Sequence, residues 1–141
     1  MRPRILLPLD DSTTAQQTID AVIANQELVP RELHLLHVVD VQMIQRLVPD
    51  IQKNMIYDAA EQTGNRLLAK LAGQFQEIGF KPQTHLELGA PGPAIMKVAE
   101  DLDIQLIIIG RHSNGGGVRD LLLGSVTNYV IRFSTRPILL F

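Results

Sequence analysis

Two short stretches hold residue types suited to a phosphorylated ligand. The first is PLDDS (8–12), whose Asp10 and Asp11 offer acceptors for a ribose or a metal ion. The second is GRHSNGGGVRDLLLGS (110–125), which holds five of the chain's ten glycines. Glycine lets backbone approach an anion closely, and successive N–H groups can form an anion-binding nest. Gly124-Ser125 stands just before a helical stripe, and a helix N-terminus attracts anions through its N–H groups and dipole. Ser125 offers a cap or a hydroxyl donor. Arg111 and Arg119 bring charge, and His112 follows the first glycine. The plain alternative for the loop is a glycine-rich corner. It is not a Walker loop, because no Gly-Lys-Ser/Thr follows the glycines, nor a Gly-x-Gly-x-x-Gly fingerprint after a first strand.

The other polar candidates read as structural. Asp11 with Ser12 and Thr13 suits a helix N-cap better than a metal. His34 and His37 lie three apart in a strand-like run, so they face opposite sides and cannot share a metal. Packing and hydrogen bonding account for both, and for His85. Ser12, Ser113 and Ser125 have no His-Asp partners for a nucleophilic triad. A phospho-accepting receiver domain needs an Asp after strand 3 and a Lys after strand 5. Here Gly89-Ala90-Pro91 occupies the first place, and no Lys follows the last run.

These stretches must be positioned by the elements around them. Short apolar runs, ILLPL (5–9), LHLLHVV (33–39), HLEL (85–88), LIIIG (106–110) and PILLF (137–141), read as strands with both faces covered. Helical stripes alternate with them: Ala15, Ile19, Val22 and Ile23; Ala60, Leu67, Leu71, Phe75 and Ile78; Ile95, Val98, Ala99 and Leu102, opened by Pro93; and Leu122, Val126, Tyr129, Val130 and Phe133. Gly64 and Gly73 weaken the second helix slightly. Pro137 opens the last strand, a tolerated place for proline. Segment 41–54 is irregular and reads as a lid, an extended loop or the start of the long helix. The β-α-β-α-β-α-β-α-β order predicts a parallel sheet wrapped by helices with right-handed crossovers. Such a sheet binds ligands beyond the carboxyl ends of its strands, where the strand order reverses. In an order of 3-2-1-4-5, that crevice lies between PLDDS and the glycine loop.

The bulk numbers set the class. The chain has 141 residues, 45% of them hydrophobic and 20% charged, with net charge −2 and no cysteine. That length suits one domain, 1–141, with a core that needs no staples. No basic field favours nucleic acid, and no apolar run approaches the roughly 20 residues of a membrane span. Asp10 and Asp11 interrupt the N-terminal apolar run too early for a signal peptide. The expectation is a soluble cytoplasmic domain.

ILLPLDDS, LLHVVD (35–40), LELGAPG (86–92), LIIIGRH (106–112) and LLLGSVTNYVIRFSTRPILLF (121–141) together resemble the universal stress proteins of the UspA superfamily. The resemblance covers nearly the whole chain. It implies a single α/β domain of Rossmann-like, adenine nucleotide alpha hydrolase-like type. Its sheet has five parallel strands in the order 3-2-1-4-5, with helices on both faces. It also implies a homodimer through the C-terminal strand 137–141. The ATP-binding branch has Gly-x2-Gly-x9-Gly-(Ser/Thr) after strand 4. Gly110 matches the first glycine and Gly124-Ser125 the last pair. Ser113 replaces the middle glycine, and 13 residues separate the ends where the pattern has 12. Gly115 is the best substitute among Gly115, Gly116 and Gly117.

The implied ligand is ATP, with or without Mg²⁺. Asp10, with Pro8 and Leu9, would contact adenosine, and Val38 would offer backbone groups to adenine. Gly110, Gly115, Gly124, Ser125 and Val126 would line the phosphates, with Arg111 and His112 nearby. The expected role is a dimeric nucleotide-binding module that signals to a regulatory partner protein. No general base or metal cage for fast hydrolysis is evident. The alternatives are a slow ATPase and a nucleotide-free stress protein acting through its dimer surface.

Overall fold

A computed structural model describes residues 3–47, 53–111 and 123–141. Apolar side chains alternate across each strand, and this divides the core in two. Ile5 and Leu7 of β1 (Ile5–Pro8), Leu33 and Leu35 of β2 (Glu32–Asp40) and Ile108 of β4 (Leu106–Ile109) face one side. They pack against Ala15, Ile19 and Val22 of α1 (Thr13–Ala24) and Leu68, Leu71, Ala72 and Phe75 of α3 (Lys53–Gln76). Leu6, Leu36, Ile107 and Ile109 face the other side. There they meet Ile95, Val98 and Ala99 of α4 (Pro91–Asp101) and Val130 of α5 (Ser125–Phe133). Each buried Leu, Ile, Val or Phe side chain among these contributes about 1.5–3 kcal/mol of burial free energy.

All strand pairs are parallel, and the order is β3-β2-β1-β4-β5, with β3 at Lys81–Gly89 and β5 at Ile138–Leu140. The expected order 3-2-1-4-5, with helices on both faces, is what the structure shows. A parallel sheet of this order has its switch point between β1 and β4.

Several boundaries differ from the sequence reading. β3 starts at Lys81, four residues before the expected HLEL. Lys81-Pro82-Gln83-Thr84 has no apolar pattern, but its backbone pairs in register with Glu32–Leu35 of β2. β3 is an edge strand, where Pro82 and polar residues are tolerated. Helix α4 starts at Pro91, not Pro93, which becomes its third residue. In segment 41–54, residues Val41–Leu47 form a separate helix, α2, and α3 begins only at Lys53. Asp40 caps α2 by accepting from the amides of Gln42 (3.0 Å) and Met43 (3.2 Å). Leu122 of the last stripe lies outside the described residues. Helix α3 runs unbroken through Gly64. A Cβ there would lie 2.8 Å from Leu86 Cδ1 and 3.0 Å from His37 Cδ2, so glycine is what lets α3 approach β2 and β3.

Candidate functional site

The carboxyl ends of β1 and β4 open into a cleft of about 220 Å³. Pro8, Leu9 and Asp10 form its β1 side, and Ile109 and Gly110 its β4 side. Val38, with Leu36 and His37, closes it from β2. Gly124, Ser125, Val126 and Thr127 bring in the first turn of α5, and Pro91 and Ile95 bring in α4. The structure therefore gathers eight residues singled out from sequence: Pro8, Leu9, Asp10, Val38, Gly110, Gly124, Ser125 and Val126. Arg111 is exposed and is not among the lining residues. His112, Gly115, Ser113 and Arg119 lie outside the described residues. No residue of α2 lines the cleft; α2 packs on α3 and β3 instead.

The β1 turn is built by its own side chains. Ser12, not Asp11, caps α1, and its hydroxyl accepts from the Ala15 amide at 3.1 Å. Asp10 Oδ1 accepts from the Ser12 amide at 2.9 Å, an Asx-turn that holds the carboxylate at the cleft. His37 fixes the turn from below. Its Nδ1 lies 2.9 Å from the Leu9 carbonyl. A carbonyl only accepts, so Nδ1 carries the proton. The sequence reading of His37 as a hydrogen-bonded packing residue agrees with this position.

The β4 end meets α5 through backbone. The Gly124 amide donates to the Arg111 carbonyl at 2.9 Å, and the Arg111 amide to the Phe141 carbonyl at 3.1 Å. The Thr127 hydroxyl donates to the Gly110 carbonyl at 2.7 Å. Gly110 itself is crowded, because a Cβ there would lie 2.5 Å from Thr14 Cγ2 and 2.7 Å from Thr18 Oγ1. Ser125 is the first residue of α5 rather than its cap. Gly124 takes the cap position and offers no side chain. The N-terminal amides of such a helix are left to other partners, and anions suit them.

Leu36, Val38, Pro91, Ile95 and Ile109 give the cleft apolar lining. Its polar lining includes the backbone of Gly110 and Gly124, hydroxyls, and the first turn of α5. Thr14, Thr18, Thr127, Pro91 and Ile95 were not singled out as site residues. The only sequence signal for the first pair is their i, i+4 spacing at the start of α1, beside the buried Ala15–Ile19 stripe.

A family model, the universal stress protein family, matches residues 1–141. This chain belongs to the universal stress protein family. Universal stress protein MJ0577 of Methanocaldococcus jannaschii is 30% identical to it, over 99% of this chain and 94% of that protein. The solved structure of MJ0577 has a TM-score of 0.84 at 31% identity, covering 99% of this chain and 95% of that one. Two more distant universal stress proteins share the fold. One, from Arabidopsis thaliana, was solved with AMP bound (TM-score 0.69, 14% identity, covering 99% of this chain and 91% of that one). The other was solved in complex with cAMP (TM-score 0.64, 18% identity, covering 99% and 95%). As in these universal stress protein folds, a single five-stranded parallel sheet organises the chain. No helix among the described residues is long and apolar enough to cross a membrane.

Proposed function

We propose that this universal stress protein binds an adenine nucleotide, with ATP as the ligand, in the β1–β4 cleft. The observation that carries this reading is a cleft at the sheet's switch point whose lining is both apolar and rich in glycine backbone and hydroxyls. Leu36, Val38, Pro91, Ile95 and Ile109 suit a flat, apolar base, and Asp10 suits ribose hydroxyls. Gly110, Gly124, Ser125 and Val126 suit phosphates, and Gly115, Arg111 and His112 are the further candidates that the sequence names. That two distant fold relatives hold AMP and cAMP supports the adenine part of the reading.

A Mg²⁺ ion accompanying the phosphates would rest mainly on phosphate oxygens and water, as this ion prefers. Among the described residues, no cluster of three or more His, Asp or Glu gathers to hold a metal, and one oxygen of Asp10 already serves the Ser12 amide. The proposed role is binding and signalling to a partner protein, within the cytoplasm. The dimer would form by antiparallel pairing of residues 137–141 between copies. The sheet's edge strand β5 supports this: it is apolar, with Leu139 39% exposed, and such an edge is best covered.

The test has two parts. Protein purified without added nucleotide is denatured and its supernatant analysed for released adenine nucleotide. ATP affinity is then measured by calorimetry for the native protein and for Gly124→Val. Binding that the branched side chain abolishes supports the reading. No binding at millimolar ATP overturns it.

A further inference from the structure

His34 and His85 form a pair that the cleft does not use. Leu36 of β2 is in register with His85 of β3, so His34 lies two residues along on the same face of the sheet. Its Nδ1 is 2.9 Å from His85 Nε2. The ring planes differ by 26° and the centroids are 5.1 Å apart, so the rings meet nitrogen to nitrogen. His34 is 8% exposed and His85 half-buried.

Such a bond needs one ring to donate and the other to accept. A first added proton can settle on the outer nitrogen of the donor ring, and the bond survives. A second proton must go to the accepting nitrogen, which then faces a donor, and the bond is lost while two cations stand side by side. The pair therefore titrates as one coupled unit. Its surroundings oppose protonation. Burial is the largest influence on both rings and lowers their pKa below the ordinary 6.5. For His34, the charges of His85 and then Arg4 lower it further, while Glu32 opposes them. Glu87 raises His85. From the packed helix α4, Ile95, Val98 and Ala99 are buried on this side, whereas Lys97, Glu100 and Asp101 are exposed.

We infer that His34 and His85 are a proton-operated latch, which ties edge strand β3 to β2 at neutral pH and loosens it in acid. β3 runs into Gly89-Ala90 and then α4, whose Pro91 and Ile95 wall the cleft. Loosening β3 thus reaches that wall, whatever ligand the cleft holds. The sign follows from the lowered pKa values. The stabilisation is complete above about 6.5 and is lost as pH falls through the lower folded-state values.

Imidazole NMR of the whole protein tests this, together with thermal unfolding between pH 8 and pH 5. The expected result is that His34 and His85 titrate below 6.5 in two linked steps, with backbone amides of β3 shifting at the same midpoints. The unfolding midpoint of the natural protein falls by about 3 °C or more beyond that of His85→Gln over this range. Independent titration of both rings at the ordinary value overturns the latch, as do parallel pH profiles for protein and variant. If His85→Gln does not fold, the NMR titration of the natural protein decides alone.

Discussion

The Thr127 hydroxyl donates to the Gly110 carbonyl at 2.7 Å, with Thr127 only 5% exposed. This bond joins the first turn of α5 to the end of β4, across 17 residues of chain. Beside it, the Gly124 amide meets the Arg111 carbonyl. These two bonds hold the end of β4 and the start of α5 together.

The clasp predicts the behaviour of Thr127→Val. Valine keeps the shape but removes the hydroxyl, leaving the Gly110 carbonyl without this donor. The expected cost is about 1–3 kcal/mol, read by calorimetric unfolding. Thr127→Ser, which keeps the donor, should lose much less. If ATP binding is measured alongside, its affinity should fall for valine and recover for serine. Equal unfolding midpoints for all three proteins would show that the clasp carries nothing.

Gly110→Ala addresses the other side of the same residue. The new methyl group would meet Thr14 Cγ2 and Thr18 Oγ1 inside van der Waals distance. Overpacking of this kind costs about 1–3 kcal/mol. Combining it with Thr14→Ser removes one of the two clashes and should restore part of the loss in a chemical denaturation series.

Gly92 sets the spacing of α4 and α5. A Cβ there would stand 2.5 Å from Tyr129 Cδ1 and 2.6 Å from its Cγ. Gly92→Ala should destabilise by about 1–3 kcal/mol. Tyr129→Ala alone also destabilises, since the ring packs on Phe133 at 4.6 Å. The double variant should be more stable than the sum of the two losses, because the clash needs both partners. Simple additivity in a double-mutant cycle would contradict the contact.

How much of this was legible in the residues depends on where the information sits. Leu6-Leu7 and Ile107-Ile108-Ile109 announce strands covered on both faces, because burial acts on each side chain directly. The crevice followed from strand order and from Asp10, Gly110 and Gly124-Ser125. Lys81–Thr84 carries no such mark; its strand is imposed by the β2 backbone. The His34–His85 contact depends on the β2–β3 register, which is a property of two segments 51 residues apart. Gly64 reads as a weak helix residue until His37 is placed against it. Gly92 lies outside the expected helix; the structure starts α4 at Pro91 and packs Tyr129 on it. Ser12 displaced Asp11 as the cap because Asp10, one residue earlier, already accepts from the Ser12 amide and sets the turn.

That double duty of Asp10 makes its substitutions informative. Asp10→Asn retains a side-chain oxygen that can accept from the Ser12 amide, so the turn and the α1 cap should persist. Asp10→Ala removes the acceptor and should lower stability by about 0.5–1.5 kcal/mol, the usual net value of such a bond. If the carboxylate also contacts ribose, the two variants separate differently in binding. Asn then weakens ATP binding while its unfolding midpoint stays near that of the natural protein. Alanine weakens both. Calorimetric affinity plotted against unfolding midpoint for the natural protein, Asn and Ala distinguishes the roles. An Asn variant that binds ATP as tightly as the natural protein would reduce Asp10 to a turn residue and remove the charge from the proposed ribose contact.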